Sequence, residues 1–462
     1  MTHAGPLALA RVDRLLADAV HAGPQPHPVP TPVADLAWAM RHLPPGGAVL
    51  IALPNGADLL AVLFAALQAG AVPVPISASA PPARIQDIAH RIGAVALAVP
   101  RSTTAAYARS GRSLGPRVHL HTLPAALDRP GRYQPGQLIL MTSGTSGIAT
   151  GCLHVVDSLL RNAARHAAAI GQRPGDRVLV NLPLHYSYAL VAQAFAALQQ
   201  DATLVLSGPP FTAPAYRDTV RVHGVTVSSL TPVLVRALGT DGGPRLPSTL
   251  RTLTVGGEAL PPEDTARILR DNPGLELYLT YGLTEAGPRV STLAAHEEPD
   301  RAASVGRPLP GVEVSLRRED PGDRVGELVI DTDTALLCRV GTGSDRGERV
   351  PGGIRTGDLF EIDPDEYLYF RGRLTDFIVV HGEKVALPSV RATAERLPGV
   401  VRATTRVHRA ADGTRFALSV FVAGRTAPTA EDIRRDLRRV LLRAEQPDSI
   451  EVHTATAVEW HK

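Results

Sequence analysis

Lysine is nearly missing from this chain. Of 48 basic residues among 462, lysine stands only at Lys384 and Lys462, and arginine fills the other 46 positions. Arginine keeps its proton and presents a broad planar fork, whereas lysine is a slim point charge. Each surviving lysine is therefore a candidate for a task that arginine performs badly. Cysteine is scarce as well, with Cys152 and Cys338 alone. Two such residues give neither a metal-binding spacing nor a disulfide framework, which points to a reducing compartment. The formal net charge is only +3 and the positive residues are scattered, so there is no basic stripe for nucleic acid. No charged-then-apolar leader pattern opens the chain. The longest apolar stretch, "DLLAVLFAALQAGAVPVPI", is interrupted by Asp58, Gln68, Gly70, Pro73 and Pro75, too often to span a bilayer. These absences set the expectation of a soluble, cytoplasmic protein with neither nucleic acid nor membrane as a partner.

The residues that are present describe a loop-rich globular chain. At roughly 100–200 residues per unit, the length predicts about two to four units. Gly (41) and Pro (40) are frequent, which favours an α/β or α+β protein over a helical bundle. "GGAVLIALPNGADLLAVLFAALQAGAVPVPI" reads strand, turn, helix, strand. Leu59, Leu60, Leu63, Phe64 and Leu67 recur at helical spacing, and Gly70 closes the helix. "QLILMTS", "RVLVNLPL", "ATLVLS", "TLRTLTVGG" and "LELYLTYG" are further strands. "SLLRNAARHAAAIG" and "ALVAQAFAALQQ" are helices between them. Alternation of this kind predicts mostly parallel sheets covered on both faces. From about residue 300 short strands dominate, and the last 85 or so residues read as a separate small α+β unit.

Three glycine turns follow strands. "TSGTSGIATG", residues 142 to 151, offers the hydroxyls of Thr142, Ser143, Thr145 and Ser146 beside permissive Gly144, Gly147 and Gly151. Backbone N–H groups in such a run converge on anions, and the hydroxyls add donors. By position it follows a strand and is expected to lead into a helix. It is not a Walker loop: five residues on from Gly144 and Gly147 stand Ala149 and Cys152, not the required second glycine. Taken alone, the run is equally a linker. "TVGGEALP" and "TYGLTEAG" are the other two turns, and "RTGDLFEID…YFRGRLTDFIVVHGEKV" brings Asp358, Arg373 and Lys384 into one stretch. Each piece has a bland reading as a turn or a solvated pair; their joint order is far more specific.

In that order the chain resembles the ANL superfamily of adenylate-forming enzymes, which comprises acyl-CoA synthetases, stand-alone adenylation domains and luciferases. "MTSGTSGIATG" resembles the family's phosphate loop, "NLPLHYSY" its substrate-side motif and "YGLTE" its aromatic-Gly-x-Thr-Glu motif. "RTGD", "GRLTD" and "HGEKV" resemble its later motifs. The likeness covers residues 35 to 400 well and the tail more loosely. It implies an α/β fold with a large N-terminal domain, residues 1–373, of layered, mostly parallel sheets with helices and a distorted barrel-like part. A small mobile α+β lid, residues 374–462, would follow. It implies Mg-ATP, a carboxylic acid substrate, and coenzyme A or a carrier-protein phosphopantetheine as acceptor. Thr142, Ser143, Gly144, Thr145, Ser146 and Gly147 would hold the β- and γ-phosphates. Gly256, Gly257 and Glu258 would line the adenine pocket, with Tyr281 and Gly282 against the nucleotide. Thr284 would touch the α-phosphate, Glu285 would hold Mg2+, and Asp358 would accept the ribose hydroxyls. Arg373 would bind ribose or phosphate, and His185 to Tyr188 would flank the acid. Lys462 would be the adenylation lysine, and Lys384 would face the site during thioester formation.

The chain departs from the family at several positions. Thr150 stands where lysine is usual, Ala149 where proline is usual, Thr375 at the hinge and His461 before the last lysine. The stretch after "NLPLHYSY" lacks the Phe-Asp pattern that serves an α-amino group, so an acyl or aryl acid is expected. The altered loop leaves room for a nitrogen nucleophile as acceptor. Thr150 and Thr375 also motivate a competing reading, a nucleotide-binding homologue without turnover.

Overall fold

The β-branched runs assemble into two large sheets whose central strands are buried on both faces. The computed structural model describes residues 9–22, 30–102, 111–123, 131–143, 149–208, 210–240, 245–318, 320, 322–341, 353–374, 377–380, 383–410, 413–422 and 427–454. The larger sheet has eight strands, in the order Val20–His21, Thr203–Leu206, Arg177–Val180, Val227–Leu230, Thr252–Gly256, Glu276–Gly282, Arg289–Ala294 and Arg307–Pro308. The first six run parallel and the last two antiparallel. A five-stranded sheet is ordered Val72–Pro75, Ala48–Ile51, Ala94–Pro100, Val118–Thr122 and Gly111–Leu114, parallel over its first three. The helix Ala57–Gln68 buries nine of its twelve residues, as expected of an apolar helix enclosed on all sides. Gly70 follows it at φ 76°, the left-handed geometry that ends helices.

Two small antiparallel sheets complete this part of the chain. One contains Val312–Arg317, Val325–Thr332, Ile354–Ile362 and Leu368–Arg373; the other contains Cys338–Val340, Ala149–Val155 and Gln137–Ser143. The barrel-like part foreseen from the sequence is thus a pair of open sheets among the described residues. They meet over a shared core that includes Cys152, Ala286, Val290, Leu328, Ile330 and Phe360. Residues 377–454 have a core of their own around Val385, Phe416, Leu418, Val420, Ile433 and Leu437. There the strand Gly413–Val422 pairs antiparallel with Val400–Ala410 and parallel with Ser449–Thr454. The helix Ala430–Leu437 opens on a reciprocal cap between Thr429 and Asp432. Among the described residues no helix is long and apolar enough to cross a membrane.

Two local expectations change. The glycine run does not lead directly into a helix. Strand Gln137–Ser143 pairs antiparallel with strand Ala149–Val155, and the helix starts only at Val156. The run therefore joins the two strands of a hairpin. The stretch "YALVAQAF" is helical as expected, but as a π-helix over Tyr188–Phe195, and only Ala196–Gln200 is α. The π-helix is rare and is frequently found at functional sites.

Candidate active site

Two of the three strand ends that carry glycine turns lie side by side, while the run at 142–151 belongs to the separate three-stranded sheet. Thr252–Gly256 pairs with Glu276–Gly282, which pairs with Arg289–Ala294. Gly256 cannot be replaced without displacement: a Cβ there would sit 2.4 Å from the Thr280 hydroxyl oxygen and 2.9 Å from the Thr280 carbonyl. Glu258 is exposed, and it lines a small cavity with Val255, Leu279, Thr280 and Phe370. Gly257 follows Gly256 in this turn at φ 94°.

Tyr281, Asp358 and Arg373 come together although 77 residues separate the first two. The Tyr281 hydroxyl donates to Asp358 Oδ2 at 2.7 Å, and Arg373 Nε lies 2.9 Å from Asp358 Oδ1. Strand pairing sets the second contact, because Asp358 is registered against Arg373 across the sheet. The Thr356 hydroxyl accepts the Asp358 backbone N–H at 3.0 Å. Asp358 is buried, whereas Arg373 is half open to solvent. Tyr281 is partly exposed, and its hydroxyl is held by Asp358. Burial first, and the Asp358 charge and hydrogen bond next, hold it well above the ordinary tyrosine value.

Thr284 and Glu285 occupy a single 3₁₀ turn immediately after Gly282 and Leu283. Thr284 shares a 2.8 Å hydrogen bond with the Ser187 hydroxyl, at the mouth of the π-helix. Arg339 Nη2 lies 3.0 Å from Glu285 Oε1. Glu285 also fixes the chain there, its carbonyl accepting from Leu336 N–H at 2.8 Å. The His185 ring packs on Tyr186, 4.3 Å between centroids, immediately before Ser187. Thr142 lies on the first strand of the hairpin, its hydroxyl donating to the Thr150 carbonyl at 3.1 Å. Thr150, at the position of the family lysine, is a buried residue on the second strand. Ser143 ends the first strand; Gly144, Thr145, Ser146 and Gly147 lie outside the described residues. Lys384 lies on the strand Glu383–Ala386, and Lys462 and Thr375 lie outside the described residues.

With this geometry in view, the sequence profile of the AMP-binding enzyme family matches residues 31–337, well over half of the chain. The chain belongs to the AMP-binding enzyme family. Among curated relatives, a sulfoacetate–CoA ligase of Cupriavidus necator is 28% identical over 387 residues, covering 79% of this chain and 75% of that protein. Among solved structures, the fold is that of the o-succinylbenzoate CoA synthetase of Bacillus subtilis in complex with its acyl-adenylate intermediate. The TM-score is 0.77 at 18% identity, over 96% of this chain and 94% of that one. An amide bond synthetase from Marinactinospora thermotolerans has the same fold, with a TM-score of 0.73 at 22% identity, over 96% and 95% of the two chains.

The residues present in this AMP-binding enzyme fit the groups that the family implies. A buried carboxylate aimed by two donors is a suitable acceptor for a diol, and Asp358 is such a group. Among the described residues no cluster of three His, Cys, Asp or Glu could cage a metal. Mg2+ is usually held by one or two carboxylates together with substrate phosphates. Glu285, partly buried and already drawn to a cation, is a donor of that kind. Sequence reading passed over Ser187 as an individual, Thr356 and Arg339. Ser187 and Thr356 lay inside the quoted motifs "NLPLHYSY" and "RTGD"; Arg339 carries no signal of its own and is found only through its contact with Glu285.

Proposed function

We infer that this AMP-binding enzyme is an AMP-forming acid–thiol ligase. A carboxylate oxygen of the acid attacks the α-phosphorus of ATP, pyrophosphate leaves, and an acyl-adenylate forms. A thiol then attacks the acyl carbon, its proton passes to solvent, and AMP leaves. The observation that carries this reading is the meeting of Thr284 with Ser187, 2.8 Å apart, one turn from the Tyr281–Asp358–Arg373 cluster. A site for the nucleoside and a site for the acid then share one strand end. Asp358 would accept the ribose hydroxyls, and Thr284 and Ser187 would hold the reacting oxygens between them. The N–H groups and hydroxyls of residues 142–147 would grip the departing phosphates. Mg2+, when bound through Glu285, would neutralise charge on the phosphates.

Lys462 would bridge the acid and the α-phosphate, and Lys384 would serve the second half-reaction. Residues 374–376 would be the hinge on which the unit from 374 to 462 turns between the two. The thiol would be coenzyme A or the phosphopantetheine of a carrier protein. The test is ATP–pyrophosphate exchange with a panel of carboxylic acids, with and without coenzyme A. Acid-dependent exchange, together with a thioester product, is the expected result; no exchange with any acid would leave a nucleotide-binding homologue without turnover. Lys462→Ala is expected to abolish exchange, and unchanged exchange would remove that lysine from the mechanism.

A further inference from the structure

Arg289 carries a buried positive charge that no described Asp or Glu neutralises. The residue is 3% exposed. Its Nη1 donates to the Thr280 hydroxyl at 2.7 Å, and its guanidinium carbon lies 4.1 Å from the centre of the Tyr188 ring. Its Nε has no hydrogen-bond partner among the described residues, and no described Asp or Glu pairs with it. The other titratable neighbours are Tyr188 and His166, and burial holds His166 near a pKa of about 3, hence neutral. Burial also pulls the guanidinium below its ordinary value. A charge removed from water is costly unless an opposite charge and hydrogen bonds replace the solvent. A hydroxyl and an aromatic face do so only in part.

The position of this charge is informative. Arg289 is registered against Gly282, two residues before Thr284. Thr254 and Gly256 share one face of their strand, with Ser229 and Thr280 as their registered neighbours. A Cβ on Gly256 would come within 3.3 Å of Arg289 Nη1, so the absence of a side chain there makes room for the fork. Over this face lies Tyr188. Its hydroxyl shares a 3.1 Å bond with Thr254, which donates to Ser229 at 2.8 Å. Ser187 and Tyr188 are consecutive: the first touches Thr284 and the second touches Arg289.

We propose that Arg289 binds a second anionic group on the acid substrate, so that the enzyme selects acids bearing an oxyanion remote from the reacting carboxylate. The proposal rests on the ligase reading and narrows its substrate class. The reacting carboxylate would lie at Thr284 and Ser187, and the distal carboxylate or sulfonate would lie against Nε of Arg289. The planar fork suits either oxyanion.

The test pairs acids of matched length, with and without a distal charge: succinate with butyrate, glutarate with valerate, 3-sulfopropionate with butyrate. In pyrophosphate exchange the wild type is expected to favour the doubly charged member in kcat/KM by on the order of 10–100-fold, the worth of a charged hydrogen-bonded contact. Arg289→Met is expected to bring that ratio to about one, with urea midpoints and circular dichroism reporting its folding; Arg289→Lys, which keeps the charge and loses the fork, replaces it if it does not fold. A wild-type ratio at or below one, or a variant that lowers both members equally, overturns the proposal. A second readout is independent of turnover. The doubly charged acids alone should raise the melting temperature of the wild type and not that of Arg289→Met. If no acid supports exchange, the ligase reading fails, and the shift in melting temperature still decides the role of Arg289.

Discussion

The two sides of the strand end Glu276–Gly282 handle charge in opposite ways. On the proposed nucleoside side, Asp358 already holds Tyr281 and Arg373, and Glu285 already holds Arg339. On the proposed acid side, Arg289 is enclosed by Thr280, Tyr188 and Asn162, the last through the backbone alone. Pre-paired groups keep their geometry in the empty enzyme and exchange one set of partners for another when a ligand arrives. An unpaired buried charge destabilises the empty site, and a ligand that supplies the counter-charge relieves that cost. The first arrangement suits a ligand common to a whole family; the second converts a folding cost into discrimination between acids.

The comparison is broken most sharply at Asp358. Asp358→Ala removes the proposed acceptor for the two ribose hydroxyls and strands Arg373 and Tyr281. kcat/KM for ATP should fall by about 10²–10⁴-fold, from two lost charged hydrogen bonds. Steady-state exchange kinetics at varied ATP measure it, and a loss below tenfold would mean that the cluster is structural.

The next effect sharpens the comparison at two buried histidines, which are kept neutral. His154 and His166 are fully buried, and desolvation lowers them to about 4 and about 3 from 6.5. Thr284 and Thr334 lie near the His154 ring, yet neither of its nitrogens makes a well-formed hydrogen bond among the described residues. Below pH 6.5 the unfolded chain takes up protons that the folded chain refuses. The stability contributed by each histidine is therefore complete above 6.5. It is lost as pH falls toward about 4 for His154 and about 3 for His166, at about 1.4 kcal/mol per pH unit for each. Urea unfolding between pH 7 and 4.5 should show the decline, and His166→Leu should flatten it by one histidine's share. An unchanged slope in that variant would show that proton uptake at this site is not excluded.

Gly256 comes next. Gly256→Ala places a Cβ against both the Thr280 hydroxyl and the Thr280 carbonyl and presses the Arg289 fork. Overpacking of this kind costs about 1–3 kcal/mol. Gly208, where the nearest atom to an added Cβ is 3.7 Å away, serves as the control. A denaturant midpoint for Gly256→Ala that matches Gly208→Ala would mean that the strand end yields.

Much of this architecture was legible in the sequence, for reasons that differ by residue. Gln137–Ser143 and Thr203–Leu206 read as strands because apolar runs of that length between turn residues have few other solutions. Asp358 and Arg373 stood together in one stretch, and strand register brings them into contact. The hairpin at residues 142–151 was not legible. "IATGC" carries small residues that suit a helix lead-in as well as a strand, and pairing with Gln137–Ser143 and Cys338–Val340 decides between them. Nor was Arg289 legible. In a chain with 46 arginines one more carries no signal, and only its burial without a counter-charge sets it apart.

Arg339 gives the smallest predicted effect and bears most finely on the comparison. Its pair with Glu285 is half open to solvent on the arginine side, and exposed pairs of this kind contribute about 0–1 kcal/mol to stability. Arg339→Ala should therefore leave the urea midpoint almost unchanged. If Arg339 holds the place of a cation on Glu285, its removal frees the carboxylate for Mg2+. The Mg2+ concentration giving half-maximal exchange should then fall by about two- to fivefold, the equivalent of losing one weak competing pair. Glu285→Gln should raise the same concentration by more, because it removes the ligand itself. A rise in the Arg339→Ala variant would instead mean that the arginine orients Glu285 toward the metal. The nucleoside side would then depend on its internal pairs for its aim as well as for its charge balance.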